Sequence, residues 1–335
     1  MKRERRLTIA AIALAMMVAM FFVVLSKRQP TYRGRTVKSW LEQVFNAKGN
    51  QREAIDALRE LGAKAVPVEI NALARTDSSL DKGYQSIYPK LPLWLQRRLP
   101  MPVNAEPMRS AAELALLNNQ HTREFMPELV RCLKKGNSEA RLHAALVVSH
   151  WIRAEDTFGI PTLIEVLKDR DVHVREYAAN ALSRFGPAAK AAAPALEKGL
   201  EDRSVQVRIA DARALSAIDT NTATLTIPVL KEAIANGDPR TRHWAAVDLL
   251  KIDQTDRGTI PVFISSLTNQ DRDIRSSAAY SLLRYGPEAK IAAPGLVNAL
   301  NDSDAQVRKA ARMALEKIDP EAAAKAGGTA HGQDH

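Results

Sequence analysis

"IPTLIEVLKDRDVHVREYAANALSRFG", Ile160 to Gly186, sets a proline-led apolar run ahead of an acidic turn, an arginine and a row of Ala and Leu. The same order returns along the chain. Arg141, Arg175, Arg208, Arg242, Arg275 and Arg308 follow one another at steps of 34, 33, 34, 33 and 33 residues. Each lies 14 residues after a proline, at Pro127, Pro161, Pro194, Pro228, Pro261 and Pro294. A reactive centre needs one such cluster, whereas a fixed period of about 20–50 residues marks stacked supersecondary units. The spacing predicts an all-α solenoid, and the charges of the motif read first as structural.

Each unit accommodates two helices. The proline falls in the first turn of helix A, where its missing N–H is not needed. Helix B has its own start signal in Asn137, Asp171, Ser204, Asp238, Asp271 and Asp304, N-cap formers placed four residues before each arginine. Residues one before the arginine and three, seven and ten after it share one face: Val174, Ala178, Leu182 and Phe185 in one unit, Ile274, Ala278, Leu282 and Tyr285 in another. That stripe is the expected core, with Gly186 and Gly286 as helix stops.

Of the 335 residues, 46% are hydrophobic, 26% charged and only 5% aromatic, so the core is expected to be aliphatic and rich in Ala. The net charge of +10 is concentrated at one end: residues 1–38 hold nine Lys/Arg against Glu4. The remainder is close to neutral and lacks the broad footprint of a phosphate binder, so no nucleic-acid partner is expected. Leu7 to Ser26 runs 20 residues without a charge, about 30 Å as a helix, the thickness of a hydrocarbon layer. A membrane-spanning signal-anchor fits this length. The alternative is a cleaved secretory signal, whose apolar stretch is usually about 7–15 residues. Lys2, Arg3, Arg5 and Arg6 hold the N-terminal tail in the cytoplasm and put the bulk of the chain outside it, in a periplasm if the source is bacterial, while Lys27, Arg28, Arg33, Arg35 and Lys38 weigh the other way. The sole cysteine, Cys132, has no internal partner for a disulfide.

The repeats resemble the HEAT-repeat superfamily in its short, bilin-lyase-type form, whose pattern is P-x-L-x-x-x-L followed by D-x-x-V-R-x-x-A-A-x-A-L. The resemblance runs well from Arg109 to Asp319 and loosely from Trp40 to Arg75, where Arg52 stands one residue out of register. It implies helix pairs in which the recurring Asp and Arg, Asp171, Arg175, Arg208, Asp238, Arg242, Asp271, Arg275, Asp304 and Arg308, tie successive units together. The order of apolar segment, "YRGRTVKSWLEQV", "YPKLPLWLQRRLP" and repeats is similar to membrane-associated HEAT-repeat proteins of planctomycete and verrucomicrobial bacteria, which implies architecture and no activity.

The expected layout is a basic tail (1–6), the spanning helix (7–26), a basic linker (27–38), N-terminal helices (39–75), an insertion (76–107), the repeats (108–319) and a disordered tail (320–335). Pro89, Pro92, Pro100, Pro102 and Pro107 forbid one long helix in the insertion. Its Tyr84, Tyr88 and Trp94 are read as anchors that pack it onto the fold, with a partner-binding loop as the alternative.

Signatures of chemistry are missing. His121, His143, His150, His173, His243, His331 and His335 form no H-E-x-x-H run and no adjacent His-Glu pair of the kind that HEAT-like di-iron hydroxylases carry. The "DRD" and "DSD" turns lack the glycine and terminal Glu of a calcium loop. No metal or cofactor site is expected, nor any small-molecule substrate. Bilin lyases and HEAT-like alkylpurine DNA glycosylases use related scaffolds, which makes an enzyme or nucleic-acid binder the alternative.

Helix B lines the concave side in solenoids of this resemblance. Its outward positions hold Leu142, Leu146, Ile209, Val247, Leu250, Tyr280, Leu283 and Met313, beside a mostly basic row of His150, Arg184, Lys251, Arg284 and Lys317. An apolar trough next to cations suits a protein or peptide segment of acidic character. The expected contact residues are Tyr177, Arg184, Trp244, Val247, Lys251, Tyr280 and Arg284, and the expected function is a non-catalytic, membrane-anchored scaffold for protein interaction.

Overall fold

The structure, a computed structural model, describes residues 30–44, 50–77, 79–96, 99, 102 and 104–330. The expected tail at 1–6 and spanning helix at 7–26 lie outside them. Among the described residues no helix is long and apolar enough to cross a membrane. The chain divides into two compact units, Met1–Val166 and Leu167–His335.

The first unit opens with an antiparallel hairpin, β1 (Thr31–Tyr32) and β2 (Arg35–Thr36), pairing Thr31 with Thr36 and Tyr32 with Arg35. Arg33 and Gly34 turn it with φ of 50° and 74°, the left-handed pair that a two-residue hairpin requires. The linker expected at 27–38 is therefore folded over its described part. Arg35 lies 4.1 Å over the Trp40 ring, and the Trp40 indole donates to the Tyr32 carbonyl at 3.2 Å, so a cation counted in the basic linker also braces the first helix.

Helices α1 (Val37–Val44), α2 (Gln51–Leu61), α3 (Val66–Leu73), α4 (Ser79–Ile87), α5 (Leu93–Gln96), α6 (Ala105–Asn118), α7 (Met126–Lys135), α8 (Ser138–Trp151) and α9 (Ile160–Val166) complete this unit. The insertion is broken into short helices, as its prolines dictate. Of the expected anchors, Tyr84 and Tyr88 are partly buried, but Trp94 is 63% exposed, which corrects its reading as an anchor; Ile87 and Leu93 are exposed as well.

In the second unit the B helices are α10 (Val172–Ser183), α12 (Val205–Ile218), α14 (Pro239–Ile252), α16 (Arg272–Tyr285) and α18 (Ala305–Ile318). The A helices between them are α11 (Ala193–Gly199), α13 (Ala223–Asn236), α15 (Ile260–Ser266) and α17 (Ala293–Ala299). The predicted stripe is the core: Val174, Ala178, Leu182, Phe185, Ile274, Ala278, Leu282 and Tyr285 are all buried. Among the B helices, α10 packs on α12 and α16 on α18, while the small third position after the arginine meets the preceding A helix, as Ala245 does with Ala233 and Ala311 with Ala299. Gly186 and Gly286 end their helices at φ of 54° and 57°, a region closed to most side chains.

Asp171, Asp238, Asp271 and Asp304 cap their helices as expected, each accepting from a backbone N–H two residues on. Ser204 does not; the Ser204 hydroxyl turns to Gln206. Pro228 also departs from expectation, because α13 starts five residues before it at Ala223. The tail expected to be disordered is helical over α19 (Pro320–Ala330), whose Ala322, Ala323 and Ala326 pack on the last core cluster.

The acid–arginine bracing differs in detail from the resemblance. Arg175 grips Asp202 through Nε at 2.8 Å and Nη2 at 2.9 Å, and Arg275 grips Asp302 at 2.7 and 2.9 Å, so the partner lies 27 residues on, two before the next cap rather than at the cap. Each arginine also donates to carbonyls of its own turn, as Arg208 and Arg308 do to Asp202 O and Asp302 O. Twenty-seven residues beyond Arg208 and Arg242 stand Ala235 and Asn269. Arg208 accordingly turns to Glu232 at 2.9 Å, and Arg242 makes no ion pair among the described residues. The cap acids Asp271 and Asp304 are met by Arg240 and Arg272 instead.

Candidate functional site

Three consecutive B helices of the second unit frame a groove of about 610 Å³. Helix α10 supplies Glu176 and Asn180, α12 supplies Gln206, Ile209 and Arg213, and α14 supplies Thr241, Trp244, Asp248 and Lys251, with Asp238 and Arg240 at the rim. Helical spacing produces this lining: Gln206, Ile209 and Arg213 step three and four residues along one face of α12, as Trp244, Asp248 and Lys251 do on α14.

A polar clasp forms the floor. Arg213 donates from Nε to Asp248 Oδ2 at 2.8 Å and from Nη1 to Asn180 Oδ1 at 2.9 Å, while Lys251 Nζ meets Asp248 Oδ1 at 3.0 Å. Asp248 is only 3% exposed, so both oxygens of a buried carboxylate are matched by cations. A second hollow of about 330 Å³, lined by Ser183, Ser216, Thr220 and Ile252, shares Arg213, Asp248 and Lys251 with the first.

Trp244 stands at the wall, half-buried, its ring edge-on to His243 with 5.0 Å between centroids. Among the described residues its indole N–H has no acceptor. His243 beneath it is fully buried with neither ring nitrogen partnered, and burial pushes its imidazole down to about 4, so it is held neutral.

Of the residues expected to make contact, Trp244 and Lys251 line this groove. Tyr280 and Arg284 line a separate, shallower hollow of about 420 Å³ on α16, with Asp273 and Ser276. Tyr177 stacks on His173 at 6.4 Å, and Arg184 is the exposed C-terminal cap of α10. Val247 is correctly an apolar residue of α14, but it packs against the core cluster that holds Phe263. Ile209 and Leu250, read as outward, are 7% and 2% exposed, because each belongs to an apolar core cluster, Ile209 with Leu230 and Leu249, Leu250 with Ile260 and Phe263. The basic row is present, yet at the groove Asp248 neutralises its lysine.

Asn180, Arg213, Asp248 and the buried acids Glu69 and Asp211 escaped the sequence reading. A signal was available for each acid. The sixth position after the arginine is Val147, Ala181, Ala214, Ser281 or Ala314 elsewhere, and Asp248 in one unit. The third is Ala everywhere but Asp211, and the second after the proline is Leu or Phe everywhere but at Glu69, which follows Pro67. Among the described residues no three or more His, Cys, Asp and Glu side chains gather as a metal site requires. His143 pairs with Glu113.

Paired helices at a constant step, capped by acids and braced by arginines, define a helical-repeat protein. The HEAT-repeat family model matches residues 126–216, 160–251, 193–284 and 227–316, more than half of the chain together, and the chain belongs to that family. None of the curated proteins matches. Among solved structures, the complex of CpcE and CpcF of phycocyanin lyase from Nostoc sp. PCC7120 is similar at 19% identity and a TM-score of 0.44, over 86% of this chain and 97% of that one. An engineered protein is similar at 21% identity and 0.42, over 87% and 82%.

Proposed function

We propose that this protein is a membrane-anchored scaffold that holds a protein segment in the groove across α10, α12 and α14 and catalyses no reaction. The observation that carries the reading is Trp244, a half-buried aromatic with an unused indole N–H on the wall of an open groove. Aromatic anchors of this kind dominate protein interfaces, where one face is buried and the polar edge finds an acceptor. The groove carries Glu176, Asp238 and Asp248 against Arg213, Arg240 and Lys251, which favours a segment of mixed charge over the purely acidic one that the basic row alone suggests. The uncharged run from Leu7 to Ser26 supports the anchor by its length, with the repeats outside the cytoplasm.

A photo-crosslinker at Gln206 tests the groove, with one at exposed Glu197 on α11 as the control. Discrete adducts at Gln206 that vanish with Trp244→Ala are expected; equal labelling from both positions defeats the reading. Alkaline carbonate extraction with protease accessibility tests the anchor and its orientation.

A further inference from the structure

The insertion of the first unit carries a tightly closed, exposed tip. Over Tyr88 to Gln96 the backbone closes on itself. The Tyr88 hydroxyl donates to the Gln96 carbonyl at 2.8 Å, and Gln96 Nε2 donates to Leu91 O at 2.7 Å. Leu91 N returns to Tyr88 O at 3.2 Å, and Leu95 N and Gln96 N both reach Pro92 O at 2.9 and 3.0 Å. Pro89 and Pro92 have no N–H to satisfy. At the base, Asp77 accepts from the Ala105 backbone at 2.9 Å and from Gln85 at 3.2 Å, pinning the insertion to α6. What this closed loop displays is apolar: Leu93 and Trp94 at its tip, with Ile87 beside them, all more than half exposed.

We infer that this tip docks into the interfacial layer of an anionic membrane. Three observations choose a lipid surface over a protein. Within the loop the Tyr88 hydroxyl, the Gln96 side-chain amide and the N–H groups of Leu91, Leu95 and Gln96 are met internally, which lowers the cost of entering an apolar medium. From Arg75 to Arg98 the sequence carries five cations, Arg75, Lys82, Lys90, Arg97 and Arg98, against Asp77 and Asp81, and Lys82 and Lys90 are exposed on the insertion. Trp beside Leu, ringed by Lys and Tyr, is the composition of a membrane–water boundary. The reach is also short. Thr31, the first residue of β1, follows Ser26 by five residues, a span of at most about 18 Å. The inference rests on the anchored reading, which puts the first unit against the bilayer.

The test uses the full chain with Cys132→Ser, carrying Leu93→Cys labelled with an environment-sensitive nitrobenzoxadiazole dye, reconstituted in phosphatidylcholine vesicles with and without phosphatidylglycerol. Met313→Cys on α18, also exposed, is the control. The Leu93 label is expected to emit to the blue of the control and to be quenched by doxyl lipids. Lys90→Ala should weaken this response to phosphatidylglycerol roughly five-fold. A Leu93 label that emits like the control and is quenched by iodide overturns the inference. Carbonate extraction of the same vesicles reads the anchor independently: a chain that stays bound while its Leu93 label remains in water sinks the docking alone.

Discussion

Gly199, at the end of α11, faces Asp211 of α12 so closely that a Cβ on the glycine would collide with the Asp211 carboxylate oxygen Oδ2. The same two repeat positions hold Ala233 with Ala245, and Ala299 with Ala311, each pair sharing one core cluster. Loss of a side chain on one helix thus accommodates an added carboxyl on the next. Gly199→Ala is expected to destabilise the protein by about 1–3 kcal/mol through overpacking. Asp211→Ala in that background restores the Ala pair found elsewhere and should recover the loss. Urea unfolding of the four proteins of this cycle measures the coupling, and strictly additive effects would contradict it.

Asp211 also ties stability to pH. Its burial, reinforced by the negative charge of Asp202 and partly offset by Arg175, pushes its carboxyl up to about 8. An unfolded Asp titrates near 3.9, so the folded state keeps an extra proton between about pH 4 and pH 8. The stabilisation is complete below that window and is lost as pH rises through it, at up to ~1.4 kcal/mol per pH unit. Asp211→Asn should flatten the fall between pH 5 and pH 8 in denaturant titrations. Glu69 in the first unit, raised to about 8 by burial with neither oxygen partnered, predicts the same sign for Glu69→Gln.

His243 acts in the opposite direction. Burial depresses its pKa to about 4, with Asp271 pulling weakly the other way, against about 6.5 when unfolded. Its contribution is intact above about pH 6.5 and is lost as pH falls toward about 4. The ring sits edge-on to Phe263 at 5.8 Å with no hydrogen bond, so His243→Leu removes two stranded polar atoms from an apolar site. The variant should gain more stability at pH 5 than at pH 7.5, read by thermal unfolding. An equal gain at both values would show that the histidine is not held neutral.

The fold was legible because its determinants recur: Pro, cap residue and Arg keep one spacing, and a helix face is set by residues three and four apart. The candidate site was legible only in part. Trp244 and Lys251 announce themselves by type, but Asp248 finds Arg213 35 residues away, a meeting set by how α12 packs beside α14. Ile209 and Leu250 were misassigned for the same reason, since periodicity gives the face of a helix and not what the next helix covers. The departures from the repeat, Asp at positions of Ala, were the readable trace of what packing had changed.

Asp248 supplies the sharpest test of the clasp. The Arg213 guanidinium is two-thirds buried and the Asp248 carboxylate almost wholly so, with Arg213 Nη2 at 2.7 Å. Removing one member of such a pair strands the other, at a cost of about 3–5 kcal/mol, whereas replacing both by apolar groups of similar volume is often neutral. Asp248→Ala should therefore lower the urea midpoint sharply. Arg213→Leu combined with Asp248→Leu should recover most of the loss while leaving Asn180 open to the groove. Arg240→Ala, which removes a rim cation 68% exposed, should change stability by less than about 1 kcal/mol. If Asp248→Ala proves as mild as Arg240→Ala, the three B helices are held by their apolar stripe alone, and the charged floor serves only the groove's occupant.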